Sequence, residues 1–146
     1  MKIKFRDGIV SPVTNIEDFR KVGLHGVDFY HVDLRGLDFQ EIDMSGSDLR
    51  VACLNKVNLR FADLGQSQLA YADLRDADCT GVSLYFANLR YANLRCASLL
   101  LANLQGTNLE YADLRGADLR CVDFRSTRLT GASLTGANLT GAVFAE

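Results

Sequence analysis

The chain of 146 residues has one proline, no tryptophan and almost no net charge. Its longest apolar run, residues 99–102, is far shorter than the roughly 20 residues of a membrane-spanning helix. Lysine and arginine total 16 against 18 for aspartate and glutamate, a formal net charge of −2. Phosphate recognition requires a clear basic excess. We therefore expect neither a membrane nor a nucleic acid as partner.

Export signals and disulfide patterns are also missing. The first residues, MKIKFRD, carry charge but no apolar segment of the kind that a secretory signal contains. The four cysteines, Cys53, Cys79, Cys96 and Cys121, do not follow a common disulfide spacing. The sequence therefore predicts reduced thiols and a cytoplasmic protein.

Glycine is plentiful, and most of its 12 copies follow a repeat of five residues. Residues 17–146 divide into 26 pentapeptides without insertion or deletion, and the central residue is Leu or Phe in 24 of them. Two residues before the centre lies a small or apolar residue, most often alanine. Aspartate or asparagine usually precedes the centre, arginine often follows it, and nine glycines occupy the last position.

A period of five fits neither a straight helix nor a straight strand, because successive centres would point in different directions. The chain must therefore turn once in each unit, and glycine suits a corner with positive φ. Turns of about 90° close a coil after four units, or 20 residues, and stacked coils then satisfy one another's backbone groups. The pattern predicts an all-β coil with the central and the small residues packed inside. Its 26 units correspond to about 6.5 coils.

Units 72–76 (ADLRD), 92–96 (ANLRC) and 112–116 (ADLRG) resemble the A(D/N)LXX motif of pentapeptide-repeat proteins. The resemblance implies a right-handed quadrilateral parallel β-helix. It implies no particular activity, because one fold carries many functions.

The two ends of the chain differ. Residues 1–16 lie outside the repeat, and we expect an N-terminal cap there, followed by the β-helix domain 17–146. Residues 14–17 (TNIE) read as a helix capping box, which favours a short helix over 15–21. The alternative is a capping strand over residues 1–6. At the other end the repeat continues to Phe144, so we expect the last coil either to form a homodimer or to be covered by a downstream segment. The candidate contacts of the homodimer are Leu134, Leu139 and Phe144.

Catalytic and metal-binding patterns are not evident. His25 and His31 fall in different columns of the predicted coil, and neither has a second metal ligand 20 residues away. The sequence contains no CxxC, HExxH, GxSxG, phosphate-binding loop or dinucleotide fingerprint. An uninterrupted rod also offers no concave pocket for acid–base chemistry. We expect a protein without enzymatic activity, cofactor or metal.

Two outward columns are candidates for a partner-binding surface. One carries Tyr71, Tyr91 and Tyr111, and the other, four residues further along each coil, carries Arg75, Arg95 and Arg115. Tyrosine and arginine are enriched at binding hot spots. The alternative is purely structural: stacked tyrosines stabilise neighbouring coils, and the arginines neutralise nearby aspartates.

Two functional hypotheses follow. The first is a rigid structural or interaction rod that presents these columns to a protein partner. The second comes from the resemblance, since some pentapeptide-repeat proteins mimic B-form DNA, bind DNA gyrase and protect it from quinolones. The arginines that alternate with aspartates here disfavour mimicry, which requires a continuous acidic face.

Overall fold

The computed structural model describes residues 2–5, 10–12 and 23–146 of the chain. Within residues 23–146 the backbone forms a coil that returns to the same side after 20 residues, as isolated parallel bridges such as Cys53↔Asp73 and Asp73↔Asn93 demonstrate. The Leu54 N–H donates to the Asp73 carbonyl at 2.7 Å, and the Asp73 N–H donates to the Ala52 carbonyl at 3.0 Å. The predicted all-β coil of 20 residues is confirmed. The count of about 6.5 coils includes residues outside the described part and stays a prediction.

Three short strands adjoin the first coil. They are β1 (Lys2–Phe5), β2 (Val10–Pro12) and β3 (Val27–Asp28), in the order β2-β1-β3. Both pairings are antiparallel, with Ile3 opposite Ser11. Strand β1 therefore lies within residues 1–6, the range of the alternative capping strand. The helix expected over 15–21 lies outside the described residues, and the boundary between cap and repeat stays a prediction.

The core is a continuous column of central and small residues. Every central residue from Leu24 to Phe124 is at most 2% exposed, including Met44 and Cys79, the two exceptions to Leu or Phe. Burial raises the pKa of the Cys79 thiol to about 12. Alanine fills most of the small positions, because large centres from four sides leave little room between them.

Three small positions bury a hydroxyl group instead. Ser47, Ser67 and Thr107 are fully buried, and each donates to a leucine carbonyl at 2.6–2.7 Å. Because a buried polar group is costly only when it has no partner, these hydroxyls are compatible with an apolar core.

The corners explain the glycine column. From residue 26 to residue 141, every fifth residue other than Ser126 has a φ between +52° and +73°. Glycine adopts this left-handed conformation without strain, whereas other residues lose roughly 1–2 kcal/mol. Some glycines have a second role, because the Phe61 ring lies over Gly81, where an added Cβ would approach the ring to 2.5 Å.

Candidate interaction surface

The three predicted tyrosines form a stacked ladder along one corner of the rod. The ring centroids of Tyr71 and Tyr91 are 5.0 Å apart with planes 6° from parallel, and Tyr91 and Tyr111 repeat this geometry. Their exposed fractions are 60%, 42% and 49%. The ladder ends at Gly131, whose missing side chain leaves room for the Tyr111 ring.

The three ladder tyrosines have an unfavourable backbone conformation. Tyr71, Tyr91 and Tyr111 have φ values of 62°, 59° and 59°, at corner positions that glycine occupies elsewhere. The left-handed conformation disfavours bulky residues by roughly 1–2 kcal/mol each. One aromatic contact contributes about 0.5–1.5 kcal/mol beyond the area that it buries, so stacking offsets much of this strain.

The arginine stripe lies on the neighbouring corner, and two of its members are held by aspartates. Arg75 donates from Nε and Nη2 to both carboxylate oxygens of Asp73, at 2.8 and 2.7 Å. Arg115 binds Asp113 in the same way, at 2.8 and 2.6 Å. These hydrogen bonds lower the pKa of both aspartates. The predicted neutralisation of aspartates by the stripe is therefore present at these two coils.

Arg95, between these two pairs, is different because Asn93 replaces the aspartate. The Arg95 backbone N–H donates to Asn93 Oδ1 at 3.3 Å, and no ion pair forms between this guanidinium and any residue of 23–146. Its charge still acts at a distance and contributes to the lowered pKa of Asp113. Arg95 is an exposed cation at the centre of the stripe.

The two columns flank one face of the coil. Asp73, Asn93 and Asp113 are the bridging residues of that face, and each lies two residues after a ladder tyrosine and two before a stripe arginine. The structure therefore brings all six predicted residues to the two edges of one surface. His31 and Val51 continue the tyrosine column toward the N-terminus.

A charged cluster on the other side of the ladder was not predicted. Arg90 and Arg128 both pair with Glu110, at 3.2 and 2.7 Å, and the Arg90 guanidinium lies 5.5 Å from the centroid of the Tyr91 ring. Glu110 is the most buried partner, with 13% of its side chain exposed. A search for opposite charges 18 or 20 residues apart would have found these pairs.

Elsewhere, one cluster contains the residue types of a catalytic triad in the wrong arrangement. Ser45 Oγ donates to Asp43 Oδ1 at 2.5 Å and lies 2.8 Å from His25 Nδ1. The serine thus lies between the acid and the histidine, whereas a nucleophile requires the histidine as its base. The hydrogen bonds from Ser45 also lower the pKa of Asp43, which makes it a weak base.

Candidate metal-ligand clusters and disulfides are both absent from the described residues. No group of three or more metal-ligating side chains occurs there, and all four cysteines are free thiols. The described residues also include no helix with the length and apolar character needed to cross a bilayer.

Within residues 26–144, the backbone hydrogen bonds between successive coils are interrupted at one place that the sequence pattern does not mark. Between residues 102–106 and 123–126 three successive rungs are missing, and the Leu104 and Asp123 N–H groups have no acceptor within residues 23–146. The Gly106 N–H instead donates to Ser126 Oγ at 3.3 Å. An open cleft of about 500 Å³ lies at the break. Ser126 is also the only corner residue in 26–141 without positive φ.

The predicted dimer contacts lie in the last coil. Leu134 and Leu139 are partly buried, whereas Phe144 is 43% exposed and stacks on Phe124 with centroids 4.9 Å apart. The homodimer through this coil stays a prediction.

The chain is similar to known proteins both in its repeat and in its fold. A family model described as pentapeptide repeats (8 copies) matches residues 18–50, 52–85, 83–120 and 117–146. The crystal structure of the pentapeptide repeat protein Rfr23 from the cyanobacterium Cyanothece 51142 is 28% identical, with a TM-score of 0.63 over 80% of this chain and 90% of Rfr23. No match is found among curated proteins.

Two further structures extend the comparison. HetL, a pentapeptide repeat protein involved in heterocyst differentiation regulation from the cyanobacterium Nostoc sp. strain PCC 7120, is 20% identical, with a TM-score of 0.50 over 88% of this chain and 92% of HetL. QnrB1, a plasmid-mediated fluoroquinolone resistance protein, is 21% identical, with a TM-score of 0.49 over 79% of this chain and 67% of the QnrB1 chain.

Proposed function

The chain belongs to the pentapeptide-repeat family of right-handed quadrilateral parallel β-helices, and on that premise we propose a binding function for it. The protein is a non-enzymatic interaction rod. Its tyrosine ladder (Tyr71, Tyr91 and Tyr111) and arginine stripe (Arg75, Arg95 and Arg115) present one face to a protein partner.

The observation that carries this proposal is the exposed, stacked ladder. Three bulky residues occupy left-handed corners, and the outer edges of their rings face solvent. Fourteen non-glycine residues occupy left-handed corners in residues 23–146, so the ladder is set apart by its stack of three exposed rings. Rigid aromatic side chains beside arginines match the composition of binding hot spots, and they lose little conformational entropy on binding.

Affinity capture from the source cell tests the proposal with Tyr91→Ala as the variant. We expect loss of the captured partner together with a fall in melting temperature, because two ring contacts disappear. Tyr85→Ala is the matched control, since Tyr85 is an exposed tyrosine on a different corner, and it should retain the partner. A lower melting temperature for Tyr91→Ala with capture unchanged would show that the ladder only stabilises the coils.

The gyrase-binding alternative lacks support from the surface charges. Six Asp-x-Arg units in residues 23–146 are closed by their own ion pairs, at 2.6–2.7 Å. A seventh aspartate, Asp78, pairs with Arg60 at 3.2 Å. DNA mimicry requires a continuous acidic face, which these pairs interrupt. A supercoiling assay with and without quinolone should therefore show neither inhibition nor protection of gyrase.

Homodimerisation through the last coil also belongs to the proposal. One chain has a mass of 16.1 kDa, and light scattering at micromolar concentration should give about twice this value. Phe144→Asp should return the protein to the monomeric mass, because a buried charge without a partner opposes association. A monomeric mass for the unaltered chain would contradict the dimer.

A further inference from the structure

Arg95 is the exception among the arginines of residues 23–146. Nine of these ten arginines form an ion pair with an aspartate or a glutamate. Arg95 has none within those residues, although its side chain is exposed and lies between the paired Arg75 and Arg115. The exception therefore lies at the centre of the proposed surface.

The cause is one residue of the repeat. An aspartate two residues before an arginine closes a bidentate pair in all six such units of 23–146, whereas a neutral asparagine amide cannot form an ion pair. Arg60 and Arg90, which also follow asparagine, reach Asp78 and Glu110 in the next coil.

Arg95 has no such substitute. The residue 18 positions later is Asp113, whose carboxylate Arg115 already binds at both oxygens. The residue 20 positions later is Arg115 itself, a second cation. The guanidinium is therefore left with its hydrogen-bond donors available.

The groups around Arg95 are donors as well. Asn93 uses Oδ1 to accept the Arg95 N–H, which leaves its Nδ2 without a partner in residues 23–146. Tyr91 lies at the other edge of the same face, with an exposed ring. The carboxylates on both sides, Asp73 and Asp113, are neutralised by their own arginines. An exposed guanidinium with an amide donor two residues earlier in the chain is the chemistry that recognises a carboxylate.

We propose that Arg95 and Asn93 bind a carboxylate of an acidic segment in the protein partner, with Tyr91 packing against that segment. This inference rests on the proposed function and specifies the chemistry of the partner. A single unpaired guanidinium matches one side-chain carboxylate. A nucleic acid requires many cations, whereas the other arginines of this part of the chain are paired and the net charge is −2.

The substitution Asn93→Asp tests the inference without removing Arg95. It recreates the Asp-x-Arg unit that the chain already contains six times in residues 23–146, so the variant should fold and its new carboxylate should bind Arg95. The probe is an acetylated, amidated hexaglutamate peptide at low ionic strength, with hexaglutamine as the neutral control. Titration is followed by NMR at the Arg95 Nε–H.

The unaltered chain should show a saturable shift of this resonance with hexaglutamate and no shift with hexaglutamine. Asn93→Asp should weaken hexaglutamate binding by roughly tenfold or more, the effect expected when one charge-assisted contact is lost. Asn138→Asp is the matched control: it adds the same charge in a unit that has threonine instead of arginine, and it should bind like the unaltered chain.

Three outcomes would overturn the inference. One is a hexaglutamate affinity that Asn93→Asp leaves unchanged. Another is a hexaglutamate shift that appears elsewhere on the rod and not at Arg95. The third is a tighter response of Arg95 to a single-stranded oligonucleotide, which would assign the site to a nucleic acid.

The capture experiment separates this inference from the proposed function. If Tyr91→Ala loses the captured partner and Asn93→Asp retains it, the interaction surface stands and the carboxylate contact is wrong. If both variants retain the partner, the proposed function itself fails.

Discussion

Replacing Gly131 with alanine tests how the tyrosine ladder is accommodated. A Cβ at Gly131 would lie 2.5 Å from Cδ1 and 2.6 Å from Cε1 of Tyr111, closer than real Cβ contacts. Gly136 has almost the same φ, +73° against +72°, but its nearest neighbour would be a backbone nitrogen at 4.0 Å. The two glycines therefore share the same backbone requirement and differ in the aromatic neighbour.

The expected magnitudes follow from this difference. Gly136→Ala should lower the free energy of unfolding by about 1–2 kcal/mol, the strain of a left-handed alanine. Gly131→Ala should lower it by a further 1–3 kcal/mol, because the Tyr111 ring must move, as in an overpacked core. Moving that ring also disturbs its stacking with Tyr91, which contributes about 0.5–1.5 kcal/mol.

Urea unfolding monitored by tyrosine fluorescence and circular dichroism measures both variants, and fluorescence is simplified because the chain has no tryptophan. Adding Tyr111→Ala to each variant provides the decisive control. Without the ring, Gly131→Ala and Gly136→Ala should destabilise the protein equally. The reasoning is refuted if the two alanine variants differ by less than about 0.5 kcal/mol when Tyr111 is present, since this is the deviation from additivity found between independent substitutions.

Other consequences of the structure can be measured separately. Hydrogen bonds from arginine lower the pKa of the paired aspartates, to about 2 for Asp123. The contribution of these aspartates to stability should therefore be complete above about pH 4 and lost as the pH falls toward 2. Urea unfolding midpoints at pH 5 and pH 2.5 measure this loss. Backbone amides of Leu104 and Asp123 should exchange with deuterium on the order of a hundredfold faster than the other amides that join successive coils. Equal protection would show that the hydrogen bonds between the coils are complete at this place. A thiol reagent should modify the exposed Cys96 and Cys121 and leave the buried Cys79 unreacted until the protein unfolds.

The coil could be predicted from the sequence because a period of five residues constrains the path of the backbone. A large centre every five residues, such as Leu74 or Leu94, can face one core only if the backbone turns in every unit, and glycine at the last position indicates where. The same reasoning predicted a vertical tyrosine column and, four residues further along each coil, a vertical arginine column, since residues 20 apart stack on one another. The break near Ser126 was not predictable, because it does not change the repeat and follows from how neighbouring coils fit together.

Pairing between charges was only partly predictable for a related reason. Asp73 and Arg75 are two residues apart, so their contact is visible within one unit. The contact between Arg90 and Glu110 joins two coils and depends on the direction in which long side chains lean along the rod. The glycine at 131 was predicted as a corner, but its role in making room for Tyr111 required the orientation of the ring.

The Asp-x-Arg pair connects the fold to the proposed function. Each pair cancels its own charges within one unit, so a long stack of coils accumulates little repulsion between identical columns. The pairing also makes most of the surface unavailable to charged ligands, since an arginine already bound at two carboxylate oxygens has fewer donors left. At Arg95 two conditions coincide: Asn93 replaces the aspartate of the unit, and the Asp113 carboxylate of the next coil is already bound by Arg115. Together they leave one cation unpaired at one coil. On the proposed function, the specificity of such a regular surface comes from the unit that departs from the repeat.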